Sequence, residues 1–462
     1  MGDGRWSGDD EGWRVMGRRR TARWRRARVR RGHCSARARG AVVAALLLCT
    51  TAALPGRSAL AAGTPSPYTF APDARPIVGA TGTADAAPLT PGTTYKSSLP
   101  SGVKVHYRLD LDATSDAYVS AMAIPAAGTT VSASDGIRVS VQDADGTNCS
   151  LDTEIFGVAH SPRPITAWAA REASSNRPRC EGAGTYYVIV ERVGRADSAP
   201  ETWDLELFAA SEPSLRQADA TSAPDGWNSA SPEPVTGEDV RRDGGSGFAS
   251  AASVGQGVWN SDITPGRTLF YRVPLDWGRQ LYATAELGSS NGRDGYVSGA
   301  LNLSLYNPVH GFVDDASTSY KGTQKAVELD PLPPVAYENR YAAHKRFKGM
   351  RFAGSYYLVV HLAADMAENY GDGPLQLTLR VRVGGAAEAG PGYAGESEPG
   401  GVFQVAEGDR WAAAGGGAGG GSGGGGGAAM TVLAVSGIGA GTLVLVVLGV
   451  WAVVARRRVG AW

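Results

Sequence analysis

Reactive side chains are scarce in this sequence. Its 462 residues include six histidines and four cysteines. His106, His160, His310, His344 and His361 follow the first sixty residues, and none takes the H-E-x-x-H or another metal-ligand spacing. No G-x-S-x-G elbow and no Walker loop is present. The motifs that announce metal hydrolysis, elbow-type serine hydrolysis or phosphate cradling are therefore missing. The expectation is a protein that is not an enzyme and carries no cofactor. Helical periodicity is equally scarce: outside two terminal apolar runs, no long segment repeats apolar residues every three or four positions. That pattern excludes a helical bundle and leaves β structure.

The net charge is zero, but the charges are segregated. Residues 1–60 carry 14 arginines and 4 acids, and the last seven residues add 3 arginines. Residues 61–455 keep 28 basic and 41 acidic groups, a surplus of 13 negative charges. An acidic middle does not suit a nucleic-acid partner. The basic ends read as topology signals instead.

At the N-terminus a long basic region precedes "AVVAALLLCTTAAL" from Ala41, then "PGRSALAAGTP". Ala59 and Ala61 are placed as the small residues of a cleavage site, so 1–61 reads as a secretory signal peptide. An uncleaved anchor is the alternative, and Met16 is a candidate initiator. At the other end Met430–Ala455 is uncharged and is followed by Arg456–Arg458. A transmembrane helix at 430–455 with a cytoplasmic tail, 456–462, is expected from that asymmetry. The reading is a single-pass type I protein of the cell membrane with an extracellular bulk. "GGGAGGGSGGGGG" at Gly415–Gly427 is flexible coil with a reach of roughly 20 Å. It falls within an expected tether, 387–429.

The middle repeats itself. "AGTYYVIV" at Ala183 returns as "AGSYYLVV" at Ala353. In the same order "TPGTTY" at Thr90 matches "TPGRTL" at Thr264, and "YRLDLD" at Tyr107 matches "YRVPLD" at Tyr271. "YVSA" at Tyr118 meets "YATA" at Tyr282, and "IRVSV" at Ile137 meets "LNLSL" at Leu301. "WDLELF" at Trp203 meets "LQLTLRV" at Leu375. These are short β-rich runs between Gly, Pro, Asp and Ser turns. Two tandem antiparallel β-sandwiches follow, at 77–212 and 248–386, behind a short linker at 62–76 and joined by a Pro-, Ser- and Asp-rich linker at 213–247.

The pattern "YRL…VSV-QDADGT…AGTYYVIV…WDLEL" resembles the bacterial pre-peptidase C-terminal domain. The resemblance covers most of both units. It implies a jelly-roll-like all-β fold and an accessory or adhesive role rather than catalysis. No peptidase domain precedes the units here, which departs from the family's usual setting.

With Cys34 and Cys49 in the signal segment, Cys149 and Cys180 remain as a disulfide pair in an oxidising compartment. The bridge would close a loop of about 31 residues, worth roughly 3–4 kcal/mol in the chain-entropy account. Free thiols are the alternative. "DADGTNCSLDTE" offers Asp143, Asp145 and Glu154 at EF-hand-like positions for calcium, but Asn148 replaces the glycine, so a plain hairpin turn competes. Trp203 alternates with Leu205 and Leu207 as core, while Trp227 and Trp259 lie in turn-rich sequence and are candidates for exposure. "YENRYAAHKRFKGMRF", from Tyr337, is a basic aromatic stretch in an acidic ectodomain. Tyr337, Arg340, Tyr341, Lys345, Arg346 and Lys348 form a candidate binding surface, with a solvated loop that balances local acids as the alternative. The function expected is a membrane-anchored binding or scaffolding module of the bacterial envelope. A carbohydrate- or wall-binding module and an accessory subunit of a membrane complex or secreted protease are the alternatives, with a wall polymer or another envelope protein as partner.

Overall fold

A computed structural model describes residues 68–415, apart from 127, 174–179, 195–200, 218–219, 234 and 291–294. The signal segment with Ala59 and Ala61, the expected span 430–455 and the tail after it lie outside the described residues. Among the described residues no helix is long and apolar enough to cross a membrane.

The turn-bounded runs are strands. The first unit holds β1 (Arg75–Pro76), β2 (Ala87–Pro88), β3 (Thr94–Leu99), β4 (Lys104–Leu111), β5 (Asp116–Ile124), β6 (Gly136–Gln142), β7 (Asn148–Ile155), β8 (Ile165–Arg171), β9 (Gly184–Val193) and β10 (Trp203–Glu212). The second holds β11 (Asp239–Arg241), β12 (Ala252–Ser253), β13 (Gly257–Ile263), β14 (Thr268–Leu275), β15 (Gln280–Leu287), β16 (Val297–Tyr306), β17 (Phe312–Tyr320), β18 (Lys325–Glu328), β19 (Gly354–Leu362) and β20 (Leu375–Gly384). Among the described residues three short helices occur: α1 (Lys345–Lys348), α2 (Met366–Tyr370) and α3 (Glu407–Ala413).

Each unit makes two five-stranded sheets. They are β1-β3-β10-β5-β8 and β2-β4-β9-β6-β7, then β11-β13-β20-β15-β18 and β12-β14-β19-β16-β17. Apart from the short first strand of each sheet, both units follow the jelly-roll order of two interleaved Greek keys. The duplication holds to single residues. Arg108 pairs with Tyr187 and Leu111 with Gly184. In the second copy Arg272 pairs with Tyr357 and Leu275 with Gly354. Even a buried polar contact is copied: Ser97 to the Tyr107 hydroxyl and Ser261 to the Tyr271 hydroxyl, each 2.8 Å. The doubled glycine, by contrast, has two settings. A Cβ on Gly354 would collide with the Val402 carbonyl oxygen, whereas Gly184 faces open space.

The inner faces form two separate cores. Tyr107, Val139, Val188, Trp203 and Leu205 fill the first, and Tyr271, Leu303, Leu358, Leu377 and Leu379 the second. Each fully buried side chain of this kind contributes about 1.5–3 kcal/mol through the hydrophobic effect.

A third apolar layer lies between the units. The outer face of β5 and β10 presents Tyr118, Met122, Ile124, Phe208 and Ala210, all buried. Against it lie Phe270 of β14, Val359 of β19, Tyr306 of β16, and Phe248, Val309 and Phe352 from connecting segments. The four sheets therefore stack face to face, and β5 is buried at every position. Both faces of such a strand avoid water, which is why "DAYVSAMAI" lacks a charged outer stripe after Asp116.

The terminal segments close the seam. Tyr68 enters it and its hydroxyl donates to Glu206, 2.8 Å. Residues 387–415, expected to begin the flexible tether, are instead a strap. Tyr393 bridges Leu215, Glu398 pairs with Ser211, and Phe403 stacks on Phe352 at 4.8 Å. The side chain of Phe403 is 1% exposed, and burial of that ring explains why glycine-rich neighbours do not leave this stretch as coil. The 213–247 linker is also held to the second unit, with Trp227 edge-on to Phe347 and the Val235 carbonyl accepting from Arg380.

Candidate binding cleft

The two places where the repeats differ meet at the seam. One is the hairpin β6–β7 with its disulfide. The other is the long connection between β18 and β19, which holds a 3-10 turn at Tyr337–Tyr341, then α1, then Arg351. Between them lies a cleft of about 740 Å³. Cys149, Ser150, Leu151 and Asp152 of β7, Trp168 of β8 and Glu172 form one wall. Arg340, Tyr341, Lys345, Lys348 and Arg351 form the other, and Thr221 of the linker reaches its rim.

The disulfide braces the first wall. Cys149 and Cys180 are bonded across a sequence separation of 31, with Cα atoms 5.7 Å apart. It ties β7 to the segment just before β9. Asn339 braces the second wall by donating to the Pro334 and Met350 carbonyls at 2.8 and 2.9 Å.

The expected basic surface is only partly a surface. Arg340 is 8% exposed and spans the units, donating to Asp116 at 3.0 Å and Glu212 at 2.7 Å. Glu212 also accepts from the Tyr118 and Tyr393 hydroxyls at 2.6 and 2.7 Å. Tyr337 is 9% exposed and lies under the Arg340 guanidinium, 3.6 Å from ring to carbon. Arg346 turns to Asp314 and Asp330. The physical cause is burial: Asp116 and Glu212 are buried carboxylates of the first unit, and Arg340 of the second supplies their counter-charge. Tyr341, Lys345 and Lys348 remain exposed.

The calcium candidates do not come together. Asp143 caps its own turn, accepting from the Asp145 and Thr147 amides at 3.0 and 2.7 Å. Glu154 pairs with Ile137 at the far end of the hairpin, about 20 Å away by strand rise. Burial raises the Glu154 carboxyl to about 8, although Lys345 acts against it. Lys345 reaches Asp152 at 2.6 Å and Glu154 at 4.0 Å. Burial also works to raise Glu172, but the Arg351 charge 2.5 Å away outweighs it and holds that carboxyl below its usual value.

A serine–histidine pair, missed in the sequence, crosses the seam. The Ser161 hydroxyl is 2.8 Å from His361 Nε2, and Nδ1 is 2.9 Å from the Thr268 hydroxyl. In a triad that second partner is a carboxylate. Here both residues are buried, Ser161 also accepts from the Ala364 amide, and burial lowers the imidazole to about 3. The pair is a polar bolt between units. His310 is a second bolt, stacked between Phe208 at 4.6 Å and Phe248 at 3.9 Å, and lowered to about 3 by burial. Trp203 and Trp259 are buried, and Trp227 is half-buried against Phe347.

No protein-family model matches the sequence, and no curated protein matches it. Solved structures that share features with it include the tandem CBM22-1–CBM22-2 domains of Paenibacillus barcinonensis Xyn10C. That likeness has 12% identity, covers 62% of this chain and 84% of that one, and has a TM-score of 0.17. The CUB1-EGF-CUB2 region of human MASP-1/3 shares 9% identity over 63% of this chain and 99% of that one, with a TM-score of 0.14. The ANX1 ectodomain of Arabidopsis thaliana shares 10% over 66% and 92%, with a TM-score of 0.17. At TM-scores this low, none carries an argument about this chain.

Proposed function

We propose that the chain is a non-catalytic binding module, secreted and held to the cell membrane by the segment 430–455, whose working surface is the cleft at the seam. The observation that carries this reading is convergence: the elements the two copies do not share are brought to one place, and a recess opens between them. A shared frame whose unlike connections line one recess resembles the usual division between rigid frame and recognition loops. The pre-peptidase C-terminal type of both sandwiches is part of this proposal, supported by their jelly-roll strand order and their matching register. The test is co-sedimentation of the full-length chain with isolated cell walls, in detergent. Retention that is lost on Tyr341→Ala, with unchanged melting, supports the reading; absence of retention across a range of salt counts against it.

A second reading rests on a separate observation. Leu151, Ile155 and Val158 are 53%, 44% and 66% exposed, and Leu151 lines the cleft, apolar surface suited to a protein partner. Cross-linking on whole cells would then recover one dominant neighbour.

A further inference from the structure

We infer that the cleft takes a glycan or polyol bearing an anionic group, phosphate or carboxylate, with Lys348 and Arg351 as its counter-charges. The inference rests on the binding-module reading and adds the ligand's chemistry to it.

Four cations and two carboxylates line the recess, in an ectodomain that is otherwise acidic. Three of the cations are engaged: Arg340 with Asp116 and Glu212, Lys345 with Asp152, and Arg351 through one nitrogen with Glu172. Lys348 is exposed and has no ion pair among the described residues. Arg351 is the informative group. Its side chain is 3% exposed, it gives Nη1 to Glu172, and its Nε and Nη2 find no acceptor among the described residues. A desolvated guanidinium with two unmatched donors is costly, and an oxygen of a bound anion, reached by a small shift of the side chain, relieves that cost. The rings of Tyr118, Trp168 and Phe352 lie within 4.9–5.6 Å of its charge and offset part of its desolvation.

The remainder of the lining suits hydroxyl-rich chains. Tyr341 is 41% exposed on one wall, while Ser150 and Thr221 bring hydroxyls to the recess. Strand addition by a peptide is disfavoured. Asp152 bridges from β7 to the Trp168 amide of β8 at 3.3 Å and also holds Lys345, so side chains cross the sheet edge that a peptide would need.

The test measures binding of immobilised full-length chain to three probes: poly(glycerol phosphate), polyglucuronate and uncharged dextran. At least one anionic probe is expected to bind at least tenfold more tightly than dextran at low salt, and to weaken as salt rises. Which of the two binds separates a phosphate source from a carboxylate source. Lys348→Glu, on an exposed position, is expected to lose about tenfold with unchanged melting. Equal binding of all three probes, or an anionic preference that Lys348→Glu leaves intact, overturns the inference while wall retention keeps the binding-module reading. Failure to bind any probe or isolated walls overturns both.

Discussion

The two jelly rolls share their inner faces and differ in their outer ones. In β10 the outward positions are Asp204, Glu206, Phe208, Ala210 and Glu212, and all but Asp204 are buried. In the equivalent β20 they are Gln376, Thr378, Arg380 and Arg382, none of them buried. In β4 the outward residues are Lys104, His106, Arg108 and Asp110, and none is buried. In the equivalent β14 two of the four, Thr268 and Phe270, are buried. One copy therefore buries the outside of one sheet, the other buries the outside of the opposite sheet, and the two face each other. The two copies share one strand order. Divergence of alternate residues made one stack of them.

The comparison can be broken most directly by swapping one equivalent pair. Phe208→Arg puts an unpaired charge into the seam and is expected to destabilise by about 4 kcal/mol, read in urea denaturation. Next is the first copy's private bridge. Replacing Cys149 and Cys180 by serine should cost about 3–4 kcal/mol, with hydrogen exchange rising in β7 and leaving the second core protected.

Two sets of groups give stability pH dependences of opposite sign. His310 and His361, lowered to about 3, bind fewer protons folded than unfolded between their ordinary value of 6.5 and about 3. Stability falls as pH drops through that window. Glu154 and Glu206, raised by burial to about 8 and about 7 from 4.5, hold more protons folded than unfolded. Their contribution is lost as pH rises through those values. Between roughly pH 4.5 and 6.5 the two effects offset each other. The urea midpoint should be flat there and decline on either side, and a midpoint that climbs steadily to pH 8 would contradict these assignments. The smallest effect is the reciprocal swap: Arg380→Phe, on a half-exposed position of the uncovered sheet, should move stability by less than about 1 kcal/mol in the same assay.

Much of the frame was legible in the sequence. Alternation in "IRVSV" and "LNLSL" and the repeated "AGxYY" marked strands whose register agrees residue for residue. The disulfide followed from compartment and count. The seam was harder to read. Its mark is the loss of alternation in "LELFAASE" and "DAYVSAMAI", where apolar or small residues occupy both faces, and such runs look the same whether a strand is covered by a neighbour or by another part of its own unit. The basic stretch from Tyr337 misled for a related reason. Arg340 looks free beside its sequence neighbours, and its partners Asp116 and Glu212 are 224 and 128 residues away. Nothing local distinguishes a solvated arginine from one that crosses a buried seam.

The strap has a mechanical consequence. Tension applied at residue 415 would first meet α3, whose Arg410 holds Asp276 at 2.7 Å, then the Phe403 ring, then Tyr393. These contacts are met one after another, so they peel in series, whereas the sheets behind them must be sheared with many contacts loaded at once. The strap therefore acts as a fuse, lengthening under load while the stacked sheets and the cleft between them keep their shape.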